Sequence, residues 1–272
     1  MFLKLSTFTV LCSLVLMPSV AAAQDTAASE RGESAPVTTP ADTQTPEMTA
    51  LDVIDRYIEV TGGRSNWAAL TSIRGIGRIQ MSALPIEGRF NVEQTCNGYR
   101  MSVDMFQLTD QAETHVAHQV TVRNGDQTWR IQKDGPAQPL PAVAHADLVR
   151  KQSFNPLLDA KTRYSSITLQ GTELVEDAPC WKIGLNPVDQ SAPLEVRWFD
   201  VAEGLQRKFA ETPRGGGLTA EVFLSDYRQV GTVKLHYKMR IVSVGASVER
   251  SFDAMQTNVT IDDCLFEAPA TP

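Results

Sequence analysis

The four histidines of this 272-residue chain carry the most versatile chemistry, since imidazole can act as a base, an acid or a metal ligand. His115 and His118 are three residues apart on a predicted strand. We therefore expect them to point to opposite faces and not to bind one metal ion together. His145 lies on a predicted helix, and His236 lies on the polar face of another predicted strand. The sequence thus predicts no histidine metal site.

Other catalytic patterns are also missing from the sequence. No serine lies in a G-x-S-x-G elbow, so a serine hydrolase has no support. Ser225-Asp226 and Asp262-Asp263 are interpreted as acidic turns exposed to solvent. Gly215-Gly216-Gly217 joins two predicted strands, so it lacks the helix N-terminus that would bind phosphate. We expect a protein that is not an enzyme and that has no cofactor.

Charge and cysteine content exclude further classes. The formal net charge is −7 and the basic residues are scattered, whereas a nucleic-acid site needs a clustered basic face. Beyond Cys12, the chain has Cys96, Cys180 and Cys264, none of them in a C-x-x-C pair. Three is an odd number, so at least one thiol stays free or pairs outside the chain, and the sequence leaves the disulfide state open.

The amino-terminal residues have the three parts of a secretory signal peptide. Lys4 precedes a short apolar stretch, which is followed by the small residues Ala21 to Ala23. We expect cleavage after Ala23 and export to the periplasm. Residues 24–48 are rich in Pro, Thr, Ala and Ser and contain no aromatic residue, so they are predicted to be a disordered tether. The folded domain is predicted to span residues 49–272, without a transmembrane segment.

The first predicted element of the domain is an amphipathic helix. Thr49 and Asp52 have the spacing of a capping box, and apolar residues recur with helical spacing over 51–58. Gly62-Gly63 is predicted to end the helix, because glycine accepts the left-handed conformation at little cost. A second short helical turn is predicted over 65–70.

From Ser72 onward the apolar residues alternate with polar ones, which is typical of antiparallel strands with one wet and one dry face. Asn124-Gly125 is a strong hairpin signal. A helix is predicted over 143–153, and the alternation then resumes to about residue 261. This pattern predicts a mainly β domain with helices (α+β), of about 11–12 strands, arranged as a barrel or a sandwich.

The dry face is unusually rich in methionine and tryptophan. It is predicted to carry Met81, Phe90, Met101, Met105, Trp129, Trp181, Trp198 and Met239. Two interpretations stay open, namely an ordinary packed core and an apolar cavity sized for acyl chains. For the cavity, the predicted ligand-binding residues are Met81, Phe90, Met101, Met105, Val120, Val222 and Met239.

Four stretches resemble the exported proteins known as outer-membrane lipoprotein-sorting proteins, which belong with the Lol-type lipoprotein carriers. They read DVIDRYIEVTGGRSNWAAL (52–70), WFDVAEGLQRKF (198–209), SDYRQVGTVKLHYKMRI (225–241) and NVTIDDCLFEAP (258–269). The resemblance covers about residues 50–269. It implies an open, half-closed antiparallel β-barrel whose concave face is covered by helices.

The resemblance and the dry face together predict a periplasmic lipid- or lipoprotein-binding module, a carrier of acylated cargo in the cell envelope. Its partners would be the acyl chains of lipids or lipoproteins, and an envelope protein. The alternative is an envelope interaction or sensor domain of the same fold, with a filled core and no lipid cargo.

Overall fold

The computed structural model describes residues 48–82, 84–133, 135–243 and 246–267. The predicted signal peptide lies outside the described residues, as does the predicted tether except for its last residue. Within the described ranges, no helix is both long and apolar enough to cross a membrane.

Helix α1, Ala50–Val60, forms as predicted because both of its ends are capped. The Thr49 hydroxyl accepts a hydrogen bond from the Asp52 backbone N–H, and the Asp52 carboxylate accepts one in return from the Thr49 backbone N–H at 2.8 Å. This confirms the capping box. At the other end Gly62 has φ +131°, and a Cβ there would lie 2.6 Å from the Thr232 carbonyl oxygen. Glycine is therefore required at this position, where the chain turns close against a strand.

Three further α-helices and one 3₁₀ turn are short. Helix α2 spans Arg64–Ala68, α3 spans Ala142–Lys151, α4 spans Ala160–Arg163, and the 3₁₀ turn spans Asp263–Phe266. The helix predicted over 143–153 corresponds to α3 with its bounds moved by one or two residues.

All the described strands belong to one antiparallel sheet of 13 strands. They are β1 Ser72–Met81, β2 Ile86–Thr95, β3 Gly98–Leu108, β4 Glu113–Asn124, β5 Gln127–Gln132, β6 Gln138–Pro139, β7 Tyr164–Val175, β8 Ala178–Pro187, β9 Leu194–Asp200, β10 Gln206–Thr212, β11 Ala220–Val230, β12 Val233–Ser243 and β13 Ala246–Thr257. A hairpin turn joins β4 and β5 as predicted, but its two loop residues are Gly125 and Asp126, because β4 extends through Asn124.

The sheet order is β6-β5-β4-β3-β2-β1-β13-β12-β11-β10-β9-β8-β7. Each strand pairs with its sequence neighbour, except that β1 pairs with β13, for example Ile73 with Thr257. The described residues show no pairing between the end strands β6 and β7, so the sheet is open, as in an open barrel.

The buried apolar residues form two large clusters and two small ones. The largest joins α1 and Trp67 of α2 to strands β7, β8, β9 and β12, and includes Ile54, Ile58, Ile183 and Phe199. The second joins β1, β2 and β3 to Leu148 of α3. The two small clusters form around Trp198 and around Phe266.

Candidate ligand-binding cavity

A cavity of about 440 Å³ lies between the sheet and α3. Thr121 of β4 and Arg197 of β9 both line it, although eight strand steps separate β4 from β9 in the sheet order. In a flat sheet that separation would be about 38 Å, at about 4.8 Å per strand. The sheet therefore curls, and the cavity lies on its concave face.

Much of the cavity wall is apolar. It includes Ile73, Val92, Leu140, Leu148, Phe154, Phe209, Val222, Leu224, Leu235, Met239, Ile241, Phe252 and Met255. Strands β10 to β13 supply the largest share of these side chains. A wall of this kind is what an acyl chain would contact.

The seven residues predicted to bind ligand do not all reach this cavity. Val222 and Met239 line it. Four others, Met81, Phe90, Met101 and Met105, belong to the packed cluster of β1, β2 and β3, where each is at most 9% exposed. For these four residues the packed-core interpretation describes the structure better than the cavity interpretation does.

Val120 lies on the opposite face of the sheet. Its neighbour Thr121 lines the cavity, and adjacent strand residues point to opposite faces. Val120 instead packs with Val122, Phe266 and Trp129 in a small cluster on the outer face. The prediction that Val120 faces the cavity is wrong because the 3₁₀ turn near the carboxyl end covers the outer face with its own apolar residues.

The side chains of strand β9 also lie on the faces opposite to those predicted. Trp198 is predicted on the dry face, but it packs with Val196, Cys180 and Ala210 in an outer cluster. The cavity is lined instead by Glu195 and Arg197. The alternation of the sequence could not reveal this, because both faces of the sheet bury apolar side chains.

Glu195 and Arg197 form a paired charge group in the cavity wall. Arg197 Nη2 lies 2.6 Å from Glu195 Oε2, and the hydroxyl of Tyr164 donates to the same oxygen at 3.1 Å. Burial alone would lower the pKa of Arg197, but the Glu195 carboxylate raises it above its usual value. Arg197 Nη1 donates to Gln206 Oε1 at 3.2 Å. This arginine is therefore satisfied by the protein.

A second charge network joins α3 to strand β10. Lys151 Nζ lies 2.9 Å from Glu211 Oε2 and 3.2 Å from Asp147 Oδ2, and Arg150 also contacts Asp147. Burial would lower the pKa of Lys151, but the two carboxylates raise it. These ion pairs hold α3 against the sheet beside the cavity.

A third group of polar side chains lies deeper along β3, β12 and β13. Arg250 and Tyr99 line the cavity, and both donate to the sulfur atom of Met101. His236 lines the same cavity, so its predicted position on the wet face is wrong. Burial, assisted by the positive charge of Arg250, lowers the pKa of His236 to about 4. This histidine is neutral at neutral pH.

The cavity carries more positive than negative charge. Its lining includes six basic residues and three acidic ones. The basic residues are Arg130, Arg150, Lys151, Arg163, Arg197 and Arg250, and the acidic residues are Asp147, Glu195 and Glu211. The chain as a whole has a net charge of −7, so the excess charge at the cavity is opposite in sign to that of the whole chain.

His115 and His118 lie close together, contrary to prediction. A β-bulge between β3 and β4 leaves Val116 without a partner. Both histidines therefore face Asp104, with His115 Nε2 at 3.0 Å and His118 Nδ1 at 2.8 Å from Asp104 Oδ1. In the part of the chain that the structure describes, no group of three or more His, Cys, Asp or Glu side chains is placed to hold a metal ion.

The three cysteines of the domain are free thiols. Cys96 and Cys264 are exposed, whereas Cys180 is buried in the outer cluster around Trp198. Burial, followed by the charge of Asp200, raises the pKa of Cys180 to about 11. A thiol with so high a pKa is protonated at neutral pH and is a poor nucleophile.

Solved structures share this fold. A LolA superfamily protein from Nitrosomonas europaea matches with a TM-score of 0.55 and 14% identity, covering 81% of this chain and 98% of the other. A DUF1329 family protein from Desulfovibrio piger matches with a TM-score of 0.57 and 11% identity, covering 82% and 99%. A domain from Vibrio parahaemolyticus, named for outer-membrane lipoprotein sorting, matches with a TM-score of 0.52 and 12% identity, covering 78% and 97%.

No family model and no curated protein matches the sequence. At these identities the similarity defines the fold alone, and the chain has the Lol-type fold.

Proposed function

We propose that this protein binds the acyl chains of lipids or lipoproteins in its cavity and acts as a lipid- or lipoprotein-binding module of the cell envelope. The observation that carries the proposal is the cavity of about 440 Å³ with an apolar wall from β10 to β13. Its volume is within the range of about 300–1,000 Å³ that is usual for small-molecule sites. The lipoprotein-sorting name of one protein of the same fold supports the same class of ligand.

In this proposal α3 and the segment after it cover the cavity. Ala144 and Leu148 of α3 and Phe154 in the following segment contribute to the wall. The ion pairs of Lys151 with Glu211 and Asp147 fasten the helix to the sheet. Both ion pairs are partly exposed, and such pairs are worth at most about 1 kcal/mol each. Leu148 of α3 is also buried against β1 to β3, so the loss of its contacts adds to the cost of displacing the helix when a ligand enters.

The filled-core alternative accounts for part of the molecule. Phe90, Met101 and Met105 are at most 3% exposed in a packed cluster, and none of them lines the cavity. The cavity beside β10 to β13 is what favours ligand binding over a purely structural core. An envelope protein that delivers or receives the cargo is part of the same proposal.

Export to the periplasm rests on the signal pattern of residues 1–23. We expect the exported protein to begin at Gln24 when its amino terminus is sequenced. An exported form that keeps Met1, or that carries a fatty acid on Cys12, would contradict this expectation.

The binding proposal is tested by looking for lipid on the protein. The mature protein is purified without detergent and extracted with organic solvent, and the extract is analysed by mass spectrometry. We expect acyl lipids in an amount comparable to that of the protein. An extract without lipid, together with no enhancement of an uncharged environment-sensitive probe such as N-phenylnaphthylamine, would refute the proposal in favour of the filled core.

A further inference from the structure

Two strong hydrogen-bond donors in the cavity wall share one weak acceptor. The Tyr99 hydroxyl lies 3.2 Å from the sulfur of Met101, and Arg250 Nη2 lies 3.6 Å from the same atom. A thioether sulfur accepts hydrogen bonds only weakly. Neither donor is hydrogen-bonded to an oxygen atom of a described residue. The pair is therefore poorly satisfied by the protein itself.

Arg250 also lacks a counter-ion. Among the described residues, no carboxylate lies within ion-pair distance of it, and its buried Nε atom has no hydrogen-bond partner. The strand residues opposite it are Ile79 and Met239, and its guanidinium carbon lies 4.9 Å from the centre of the Phe90 ring. Arg250 is partly exposed to the cavity, and a cation held beside apolar groups is costly unless another charge compensates for it.

Arg197 shows how the cavity neutralises another of its arginines. Arg197 lines the same cavity and is neutralised by Glu195, with Tyr164 donating to the same carboxylate. At Arg250 the equivalent arrangement is present without the carboxylate, because Tyr99 supplies the hydroxyl and Arg250 supplies the guanidinium. The missing component is an anion.

We infer that Arg250 and Tyr99 receive the carboxylate of a single-chain amphiphile, such as a long-chain fatty acid, whose chain lies along the apolar wall formed by β10 to β13. The inference rests on the proposed function and specifies its ligand class. The guanidinium fork matches a carboxylate with two parallel hydrogen bonds. His236 lines the same cavity and, being neutral, adds no charge of its own. A volume of about 440 Å³ is near the lower end of ligand sites, which favours one chain over several.

The test compares ligands with the same chain and different heads. Lauric acid, methyl laurate and dodecyl phosphate are each titrated into the mature protein that holds N-phenylnaphthylamine, an uncharged probe. Displacement of the probe gives the affinity of each ligand. We expect the wild type to bind laurate about 10- to 100-fold more tightly than methyl laurate, the range for hydrogen bonds to a charged group. In Arg250→Met the preference for laurate over its ester should fall to the severalfold contribution of Tyr99, with the affinity for the ester unchanged. Tighter binding of dodecyl phosphate than of laurate would overturn the carboxylate assignment.

The matched control is Arg78→Met on β1. Arg78 is exposed, pairs with Asp253 at 3.3 Å and does not line the cavity, so its loss should leave the preference for laurate intact. Tyr99→Phe removes only the hydroxyl and should reduce the preference severalfold, which keeps the inference testable if Arg250→Met does not fold. If laurate and its ester bind the wild type equally, the carboxylate site at Arg250 and Tyr99 is refuted, while the proposed function stands. If neither displaces the probe, the proposed function fails.

Discussion

Replacing one cavity methionine and one packed methionine with tryptophan separates an open cavity from a filled core. Met239 lines the cavity, so the larger ring of Met239→Trp has space to enter it. Met105 is 3% exposed, and its sulfur would lie 2.7 Å from a Cβ placed on Gly88, so Met105→Trp has no space. Overpacking of this kind costs about 1–3 kcal/mol.

The expected effects follow from these contacts. For a domain of about 220 residues, 1 kcal/mol shifts the melting temperature by about 2–4 °C. Met105→Trp should therefore lower the melting temperature by about 2–12 °C, while Met239→Trp should change it by no more than about 2 °C. Ligand binding should show the reverse order, because only Met239→Trp fills the ligand's space.

The assays are thermal unfolding followed by circular dichroism and titration with N-phenylnaphthylamine. Ile76→Trp is the control, because Ile76 is 46% exposed on β1 and does not line the cavity. It should change neither measurement. If Met239→Trp destabilises the protein as much as Met105→Trp does, and probe binding is unaffected, the reasoning from the cavity is refuted.

Three further predictions concern stability. Phe266→Ala should lower the free energy of unfolding, measured by chemical denaturation, by about 3–5 kcal/mol, because Phe266 is 3% exposed and packs over β3. Leu174→Ala, at a site 69% exposed, should leave it almost unchanged. His236 binds fewer protons in the folded state, since burial lowers its pKa from 6.5 to about 4. The free energy of unfolding should therefore have its full value above pH 6.5 and decrease by about 3 kcal/mol as the pH falls to about 4. This decrease should be absent in His236→Gln. Glu195→Gln should lower the free energy of unfolding by about 3 kcal/mol, because it leaves Arg197 unpaired. The additional change Arg197→Gln should restore most of this loss. A double variant less stable than Glu195→Gln would count against the ion pair.

Local signals in the sequence predicted local structure well. The capping box at Thr49 and the hairpin turn after Asn124 act through neighbouring residues, so the sequence around them is sufficient, although the turn lies one residue later than predicted. The strand count was underestimated, since the described residues form 13 strands where 11–12 were expected. The two-residue strand β6 illustrates why, because so short a strand has no alternation to detect.

The predictions of which face of the sheet a side chain lies on were wrong where tertiary packing determines the face. Val120 and Trp198 are apolar and buried, yet they lie on the outer face, because the sheet buries small apolar clusters there as well. The charged residues Glu195 and Arg197 face the cavity, because each neutralises the other. A single extra residue, Val116, reversed the expected relation of the histidines on β4. None of these features follows from periodicity alone.

The pairing of β1 with β13 has a consequence for how the chain folds. Every other pairing joins strands that follow one another in sequence, whereas this one brings together the two ends of the domain, as between Ile73 and Thr257. Its formation closes the longest loop of the sheet, at a larger entropy cost than any single hairpin, and contacts of this separation slow folding. A circular permutant that begins at α3 and ends at β6, with the segment after β13 joined to α1, would turn the sheet into a simple up-and-down meander, and we expect it to refold faster than the natural order.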